Sequence, residues 1–216
     1  MLLLDYLVQV QWLFWSDQTE QAWQAVKDAE SSLVLMAGFI TPLEHRFLAA
    51  LLACKKYPDA TKKEQQVLND VISCSMNELE TLTTLCPENF EHKRLLLLAE
   101  QRRVKDEPLE TVLLSYDQAI KSAKQGRYIQ YHALACELCA KYWLAQGFEM
   151  AATHYLRQAY YQYGQWGAEV KRASLRKKYP HVIDERDQPL ASLSRSASSV
   201  SHTSISSSAE SPVKFD

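Results

Sequence analysis

The most regular pattern of apolar and polar positions lies between residues 127 and 180. Apolar side chains recur there at three- and four-residue steps, which predicts helices that bury one face. Two apolar helices fold back on each other at residues 146–147, and a third, basic helix is predicted to follow Gly164. The first helix is apolar around so much of its circumference that we expect neighbours on two sides.

Small residues mark a seam along the second helix of this pair. The same seven-residue spacing occurs three times, as Ala152, Leu156 and Ala159, as Ala22, Val26 and Ala29, and as Val112, Tyr116 and Ala119. Small residues at a fixed phase of a helical hairpin are typical of tetratricopeptide (TPR) repeats. The copies lie about forty residues apart or more, longer than the usual repeat of about 34 residues. The pattern predicts an irregular stack in which each pair contacts only its neighbours.

Start and stop signals divide the rest of the chain into helices. Thr41, followed by Pro42, and Thr61, with Glu64 three residues later, have the form of helix N-caps, and Asn89 is a third candidate. The predicted helices span residues 2–15, 18–31, 41–57, 61–86, 90–104 and 106–124. No stretch alternates with a period of two, so the predicted fold class is all-α, a TPR-like solenoid of antiparallel helix pairs.

The composition changes after Pro180. Serine and threonine dominate residues 192–211, and such a segment cannot bury enough apolar surface to offset its ordering entropy. We therefore predict a TPR-like domain over residues 1–180, a disordered serine-rich linker over 181–212 and the start of a following element at 213–216. The apolar character of both ends suggests a piece of a longer protein.

Composition excludes several classes of partner. The 216 residues include 47% hydrophobic residues and carry a formal net charge of −2, which provides no overall field for nucleic acid or anionic membrane. Five cysteines in helical patterns predict reduced thiols and a cytoplasmic location. The apolar N-terminal stretch lacks a basic n-region and is too short to span a bilayer, so we interpret it as a core helix.

The chain has no recognisable catalytic or metal-binding motif. Phosphate-binding glycine loops, zinc-protease motifs and nucleophile elbows are absent from the sequence. Cys136 and Cys139 form one CxxC pair, but a zinc site needs two more ligands. We interpret both as small core residues; a redox pair is the alternative and would require a depressed thiol pKa. We therefore predict no enzyme, no catalytic residue, no metal and no cofactor.

Two surface clusters have alternative interpretations. The basic residues Lys171, Arg172, Arg176, Lys177 and Lys178 form either an anion-binding patch or, as we favour, the solvated face of the last helix. The aromatic residues Tyr160, Tyr161, Tyr163 and Trp166 either stack on bases or, as we favour, pack in the core.

The serine-rich segment contains two short kinase-site patterns. Ser211 precedes Pro212, which has the form of a proline-directed site, and Ser198 follows Arg195 in the form of a basic-directed site. Ser198 and Ser211 are therefore candidate phosphorylation sites.

Residues 4–180 resemble a known helical-repeat region, most specifically from Cys86 onward. The resemblance rests on the stretches CPENFEHKRLLLLAEQRR, SYDQAIKSAKQGRYIQYHALACELCAKYWLAQG and ATHYLRQAYYQYGQWGAEVKRASLRKKYP. They are similar to the repeat segment of very large hybrid sensor histidine kinases, which also carry a Ser/Thr-kinase-like domain, an AAA-type ATPase module, a GAF domain and a histidine-kinase core. The serine-rich insert looks like that of the fungal members, and residues 215–216 resemble the start of the helix that leads into GAF.

The resemblance implies a role in intracellular stress signalling by phosphorelay. This segment would connect the ATPase-like module to the GAF and kinase modules and offer a concave surface to a protein partner. None of the family's catalytic motifs is present, so no catalytic residue is carried over. The alternative is a free-standing TPR adaptor, although the asparagines of a carboxylate clamp are missing from the clear repeat pairs.

Overall fold

The computed structural model describes residues 3–33 and 40–183. Within these ranges every regular element is helical, which confirms the all-α class. The helices are α1 Leu3–Trp15, α2 Thr19–Leu33, α3 Ile40–Lys56, α4 Lys62–Leu85, α5 Pro87–Val104, α6 Leu109–Gln125, α7 Ile129–Ala145, α8 Glu149–Trp166 and α9 Glu169–Lys178. A short 3₁₀ turn, Tyr57–Asp59, separates α3 from α4.

One predicted cap is confirmed and two are wrong. Thr61 and Glu64 form the capping box at the start of α4, where the Thr61 amide donates to the Glu64 carboxylate at 2.8 Å. Helix α3 already begins at Ile40, so Thr41 lies inside it. Helix α5 begins at Pro87, which places Asn89 in its first turn. Proline suits the first helical position because its missing amide has no intrahelical partner there, so Pro87 both ends α4 and starts α5.

The predicted break at Gly164 is also wrong. Helix α8 continues to Trp166, and Gly167 ends it with a left-handed backbone at φ 82°. Gly164 instead allows close packing, because a Cβ atom there would lie 3.1 Å from Nε of Arg172 on α9.

A single type of turn joins most consecutive helices. One residue has a positive φ in each of five turns, at Asp17, Asp106, Arg127, Gly147 and Gly167. In each turn the next amide donates back to a carbonyl five residues earlier, for example from Phe148 to Trp143 at 3.0 Å. This is the Schellman arrangement that closes helix C-termini. The last four positive-φ positions follow one another at steps of 21, 20 and 20 residues (106, 127, 147, 167).

The odd-numbered helices form one row. Helix α1 packs on α3, α3 on α5 and α5 on α7, while each of these four also packs against the even-numbered helix that follows it. All nine predicted seam residues are buried, including Ala152, Leu156 and Ala159 at 0% exposure. The sequence pattern therefore identified the buried faces of α2, α6 and α8 correctly.

The packed unit extends past the predicted limit at residue 180. Val182 and Ile183 are buried against the same core, and the Val182 carbonyl accepts a hydrogen bond from Nε of Arg157 at 3.1 Å. The predicted linker beyond Ile183, the element at 213–216 and both candidate phosphoserines, Ser198 and Ser211, lie outside the described residues.

The first helical pair contacts the last helices, which contradicts the expectation that each pair contacts only its neighbours. The Trp15 ring, at the end of α1, lies 4.9 Å from the Trp166 ring at the end of α8. Asp17, in the α1–α2 turn, accepts a hydrogen bond from Lys171 of α9 at 2.9 Å. Residues 154 positions apart are therefore held together.

Candidate functional site: a cavity lined with paired charges

A cavity of about 370 Å³ lies along the row of odd-numbered helices. Its lining comes from α1, the turn after it and the first residue of α2, from α3, from α5 and the turn after it, from α7 and the turn after it, and from α9. Much of the apolar wall comes from Phe14, Leu51, Leu134, Leu138 and Tyr142. Residues of the first helix and of α9, Phe14 and Lys171, therefore line the same cavity.

Glu137 lies at the centre of the cavity's charges. It is 1% exposed, and it accepts hydrogen bonds from Lys141 at 2.6 Å and from the Tyr163 hydroxyl at 2.7 Å. Lys171 Nζ lies 3.1 Å from the second carboxylate oxygen. Burial alone would raise the pKa of Glu137, but the two ammonium groups and the hydroxyl hold the pKa well below its usual range. Glu137 is therefore ionised.

Lys171 links this carboxylate to the start of the chain. Its side chain is buried between Glu137 and Asp17, and its ammonium group lies 5.7 Å above the Tyr163 ring. The prediction that the basic residues of the last helix form a solvated face is wrong for Lys171. A buried charge requires oppositely charged partners, and here two carboxylates supply them.

Lys55 completes the group of charges, which we call the lysine cluster: Lys55, Lys141, Lys171, Asp17 and Glu137. The ammonium group of Lys55 lies 3.8 Å from the Asp17 carboxylate, which is a longer distance than the 2.9 Å between Lys171 and Asp17. Burial first, and then the positive charge of Lys141, lowers the pKa of Lys55. Three lysines and two carboxylates leave the lysine cluster with one excess positive charge.

A second charged group on the α5 side of the cavity is balanced. Glu100 accepts from Arg103 at 2.7 Å and from the Tyr116 hydroxyl, and Arg103 also donates to the Cys54 carbonyl at 3.0 Å. Burial opposes the charge on Arg103, but Glu100 raises its pKa above the usual value. Asp106 is exposed and also lines the cavity, and with it the charges of the whole lining are four positive and four negative.

Glu137 and Lys141 suit binding better than proton transfer. A general acid or base works best with a pKa near the operating pH. The pKa of Glu137 lies well below its usual range, and Glu137 raises the pKa of Lys141 even though burial opposes this. Both groups therefore keep their charge across the physiological range.

Cys136 and Cys139 do not form the reactive pair considered as an alternative. Both thiols are buried and neither lines the cavity. Burial is the main cause that raises the pKa of each to about 12. A redox or nucleophilic thiol requires the opposite shift, so the structure favours the interpretation of small core residues.

The predicted surface clusters divide between core and surface. Tyr163 is fully buried, whereas Trp166 and Tyr161 remain partly exposed. The Tyr160 hydroxyl accepts a hydrogen bond from Arg172 at 3.1 Å and a second one from Arg176. Lys177 and Lys178 are exposed, as predicted for a solvated face.

Histidines and carboxylates form no metal site in the part of the chain that the structure describes. His45 and His92 are buried, and His154 is hydrogen-bonded to Gln158 at 2.9 Å. Of the helices described here, none combines the length and apolarity needed to cross a bilayer.

Sequence reasoning missed the lysine cluster, although one signal was available. Glu137 interrupts the apolar stretch ALACELCA, and a charge at that position of a helix covered on two sides requires a buried partner. The identity of the partners, Lys171 and Asp17, depends on long-range packing that no local pattern contains.

Comparisons of the chain with family models, curated proteins and solved structures found no match.

Proposed function

We propose that this chain is a non-catalytic helical-repeat scaffold within a multidomain hybrid sensor histidine kinase. There it connects an ATPase-like module to a GAF and kinase module in phosphorelay signalling. The sequence resemblance, which is most specific from Cys86 onward, supports the assignment of this segment to such a kinase. The partners are the neighbouring modules and a protein bound to the concave side.

The repeated turn supports a TPR-like array. Two steps of 20 or 21 residues make one hairpin, so successive pairs recur about every forty residues with the same Schellman closure. Each repeat then contributes one helix to the row of odd-numbered helices. A regular turn at a regular spacing is what a stack of similar helix pairs requires.

The contact between the two ends of the segment is the observation that carries the connecting role. Asp17 pairs with Lys171 at 2.9 Å, and the Trp15 and Trp166 rings lie 4.9 Å apart. The α1–α2 turn and α1 are therefore held in contact with α9 and α8. A connector built this way passes a displacement from the module before it to the module after it.

The transcript sequence on both sides of this segment tests whether the segment belongs to such a kinase. We expect ATPase motifs upstream and a GAF domain with a phosphoacceptor histidine downstream. A start codon at Met1 together with a stop codon after Asp216 contradicts the proposal.

Phosphorylation of the full-length chain tests the connecting role. We expect Lys171→Met to reduce stimulus-dependent phosphorylation of the phosphoacceptor histidine while the unstimulated level persists. Lys177→Met, at an exposed position of the same helix, is the matched control. Equal responses of the two variants and the unaltered kinase would show that the end-to-end contact plays no part in signalling.

A free-standing TPR-type adaptor is the second candidate. Phe148 and Met150, beside the α7–α8 turn, are 50% and 91% exposed, and apolar side chains of this kind suit a protein contact. Discovery of a complete short reading frame would favour this alternative.

A further inference from the structure

We propose that the cavity binds a small organic carboxylate with an apolar body, and that Lys55 and Lys141 hold its carboxylate. This binding site goes beyond the scaffold role and does not depend on the parent protein. The proposal rests on the charge balance of the lysine cluster, on the geometry of Lys55 and on the apolar wall.

The lysine cluster has one ammonium group more than it has carboxylates, although the exposed Asp106 balances the charges of the cavity lining as a whole. The lysine cluster contains three ammonium groups and two carboxylates. Lys171 is already held by both carboxylates, at 2.9 Å and 3.1 Å, and Lys141 is held by Glu137 at 2.6 Å. These contacts use both carboxylates, so Lys55 and Lys141 are the ammonium groups of the lysine cluster with fewer close partners than Lys171. A partly enclosed site strengthens the attraction of such ammonium groups for an anion.

Lys55 has the weakest partner of the three lysines. Within the described part of the chain its single ion pair is the 3.8 Å approach to Asp17, which exceeds hydrogen-bond distance. Its ammonium group therefore keeps its three donors for a ligand. Among residues 3–33 and 40–183, Lys141 donates one hydrogen bond, to Glu137, and keeps two donors.

The rest of the cavity defines the ligand's body. Phe14, Leu51, Leu138 and Tyr142 line it beside the lysines. A volume of about 370 Å³ lies at the lower end of the range for small-molecule sites, about 300 to 1,000 Å³. A single carboxylate matches the one excess charge, whereas a phosphate monoester carries nearly two negative charges at neutral pH.

The experiment compares matched pairs of probes by protein-observed NMR. The carboxylate probes are 3-phenylpropionate and indole-3-acetate, and each is compared with its own primary amide, which has the same shape without the charge. Phenyl phosphate is the third arm. We expect each carboxylate to bind about tenfold or more tightly than its amide, because hydrogen bonds to charged groups are stronger than neutral ones. The shifted amides should be those of the α1–α2 turn, α3 and α7.

Lys55→Gln tests the assignment of the site, because Lys55 is half exposed and its replacement leaves the core intact. We expect this variant to lose the preference for carboxylate over amide, and Lys177→Gln to retain it. Lys141→Gln should have the same effect as Lys55→Gln, and its NMR spectrum reports whether the fold is intact.

Three results would overturn the proposal. They are equal affinity for carboxylate and amide, an unchanged preference in Lys55→Gln, and the absence of cavity shifts with either carboxylate at millimolar concentration. Tighter binding of phenyl phosphate than of both carboxylates would reject the carboxylate and assign the site to phosphate. All of these outcomes are independent of the transcript sequence that tests the scaffold role.

Discussion

A buried lysine joins α9 to α7 and to the α1–α2 turn. Lys171 is 4% exposed and pairs with Glu137 and Asp17, which come from α7 and from the α1–α2 turn. Removing one partner of a buried pair leaves the other charge without compensation, and this costs more than the pair itself contributes. The effect on Glu137 is moderated here because Lys141 remains bound to it.

We expect Lys171→Met to lower the free energy of unfolding by about 3 kcal/mol, the lower end of the range for broken buried pairs. Methionine keeps much of the aliphatic volume, so the loss reports on charge rather than on a cavity. The measurement is the urea midpoint of the circular dichroism signal. Lys177→Met on the exposed face of α9 is the control, and an equal change in the two variants would contradict the assignment.

Three buried histidines make stability depend on pH. Burial is the main cause that lowers the pKa of His132, and the larger changes are at the other two. Burial, and then the neighbouring positive charge, lowers the pKa of His45 to about 4 and that of His92 to about 3. Arg46 and Lys93 supply those charges. The unfolded chain takes up protons at these histidines as the pH falls through about 6.5, whereas the folded chain does not. Stability therefore decreases as the pH falls below about 6.5.

We expect His45 and His92 each to lower the free energy of unfolding by about 2 kcal/mol between pH 7 and pH 5. Urea midpoints at the two pH values measure the change. His92→Phe keeps an aromatic ring against Tyr128, whose ring lies 3.9 Å away, but removes the titrating group. Between pH 7 and pH 5, His92→Phe should lose less stability than the unaltered protein, whereas His181→Gln, at an exposed position, should lose as much as the unaltered protein. Equal losses in the two variants would contradict the prediction.

At the scale of the helices and turns, spacing predicted the buried faces and one N-cap correctly, whereas the caps predicted at Thr41 and Asn89 were wrong. The capping box at Thr61 and Glu64 and all nine seam residues were predicted from spacing alone. The break at Gly164 was not, because a glycine serves either to end a helix or to admit a neighbour. Only the position of Arg172, on a different helix, distinguishes these two uses.

The positive-φ turns give a prediction at this scale. Gly147 and Gly167 have φ near 82°, and a Cβ atom at either position meets nothing within 4 Å. Alanine there is costly only through its backbone, by about 1 kcal/mol. We expect Gly147→Ala and Gly167→Ala to lower stability by this amount, measured by urea unfolding.

The opposite substitution is the matched control. Arg127 occupies the same kind of position with φ 59°. Arg127→Gly should raise stability by up to about 1 kcal/mol, because glycine adopts this conformation without strain. If both kinds of substitution lowered stability equally, backbone strain would not be the cause.

For the whole molecule, the sequence predicted the helices but not the contact between the α1–α2 turn and α9. Periodicity reports which face of a helix is buried, and it contains no information on a contact between residues 154 positions apart. The charged cavity was missed for the same reason, since Asp17, Glu137 and Lys171 come from three separate parts of the chain. The buried charge in α7 signalled only that some partner exists.

The contact between Trp15 and Trp166 gives a prediction at this scale. We expect Trp15→Ala to speed amide hydrogen exchange in α8 and α9 as well as in α1, because Trp15 packs on Trp166 and Tyr163. Mass spectrometry of the exchanged peptides measures the effect. Trp12→Ala is the control, since Trp12 lies on the same helix but is 61% exposed. Faster exchange restricted to α1 and α2 in the Trp15 variant would contradict the prediction.

The pairing of Asp17 with Lys171 also affects how the chain is made. Asp17 leaves the ribosome long before Lys171 is synthesised, and until then the first hairpin lacks the helices that cover its end. Repeat proteins whose units touch only their neighbours can fold outward from any one of them during translation. Here the α1–α2 hairpin can form its contact with α9 only after α9 has been synthesised, so the native structure is completed after that point.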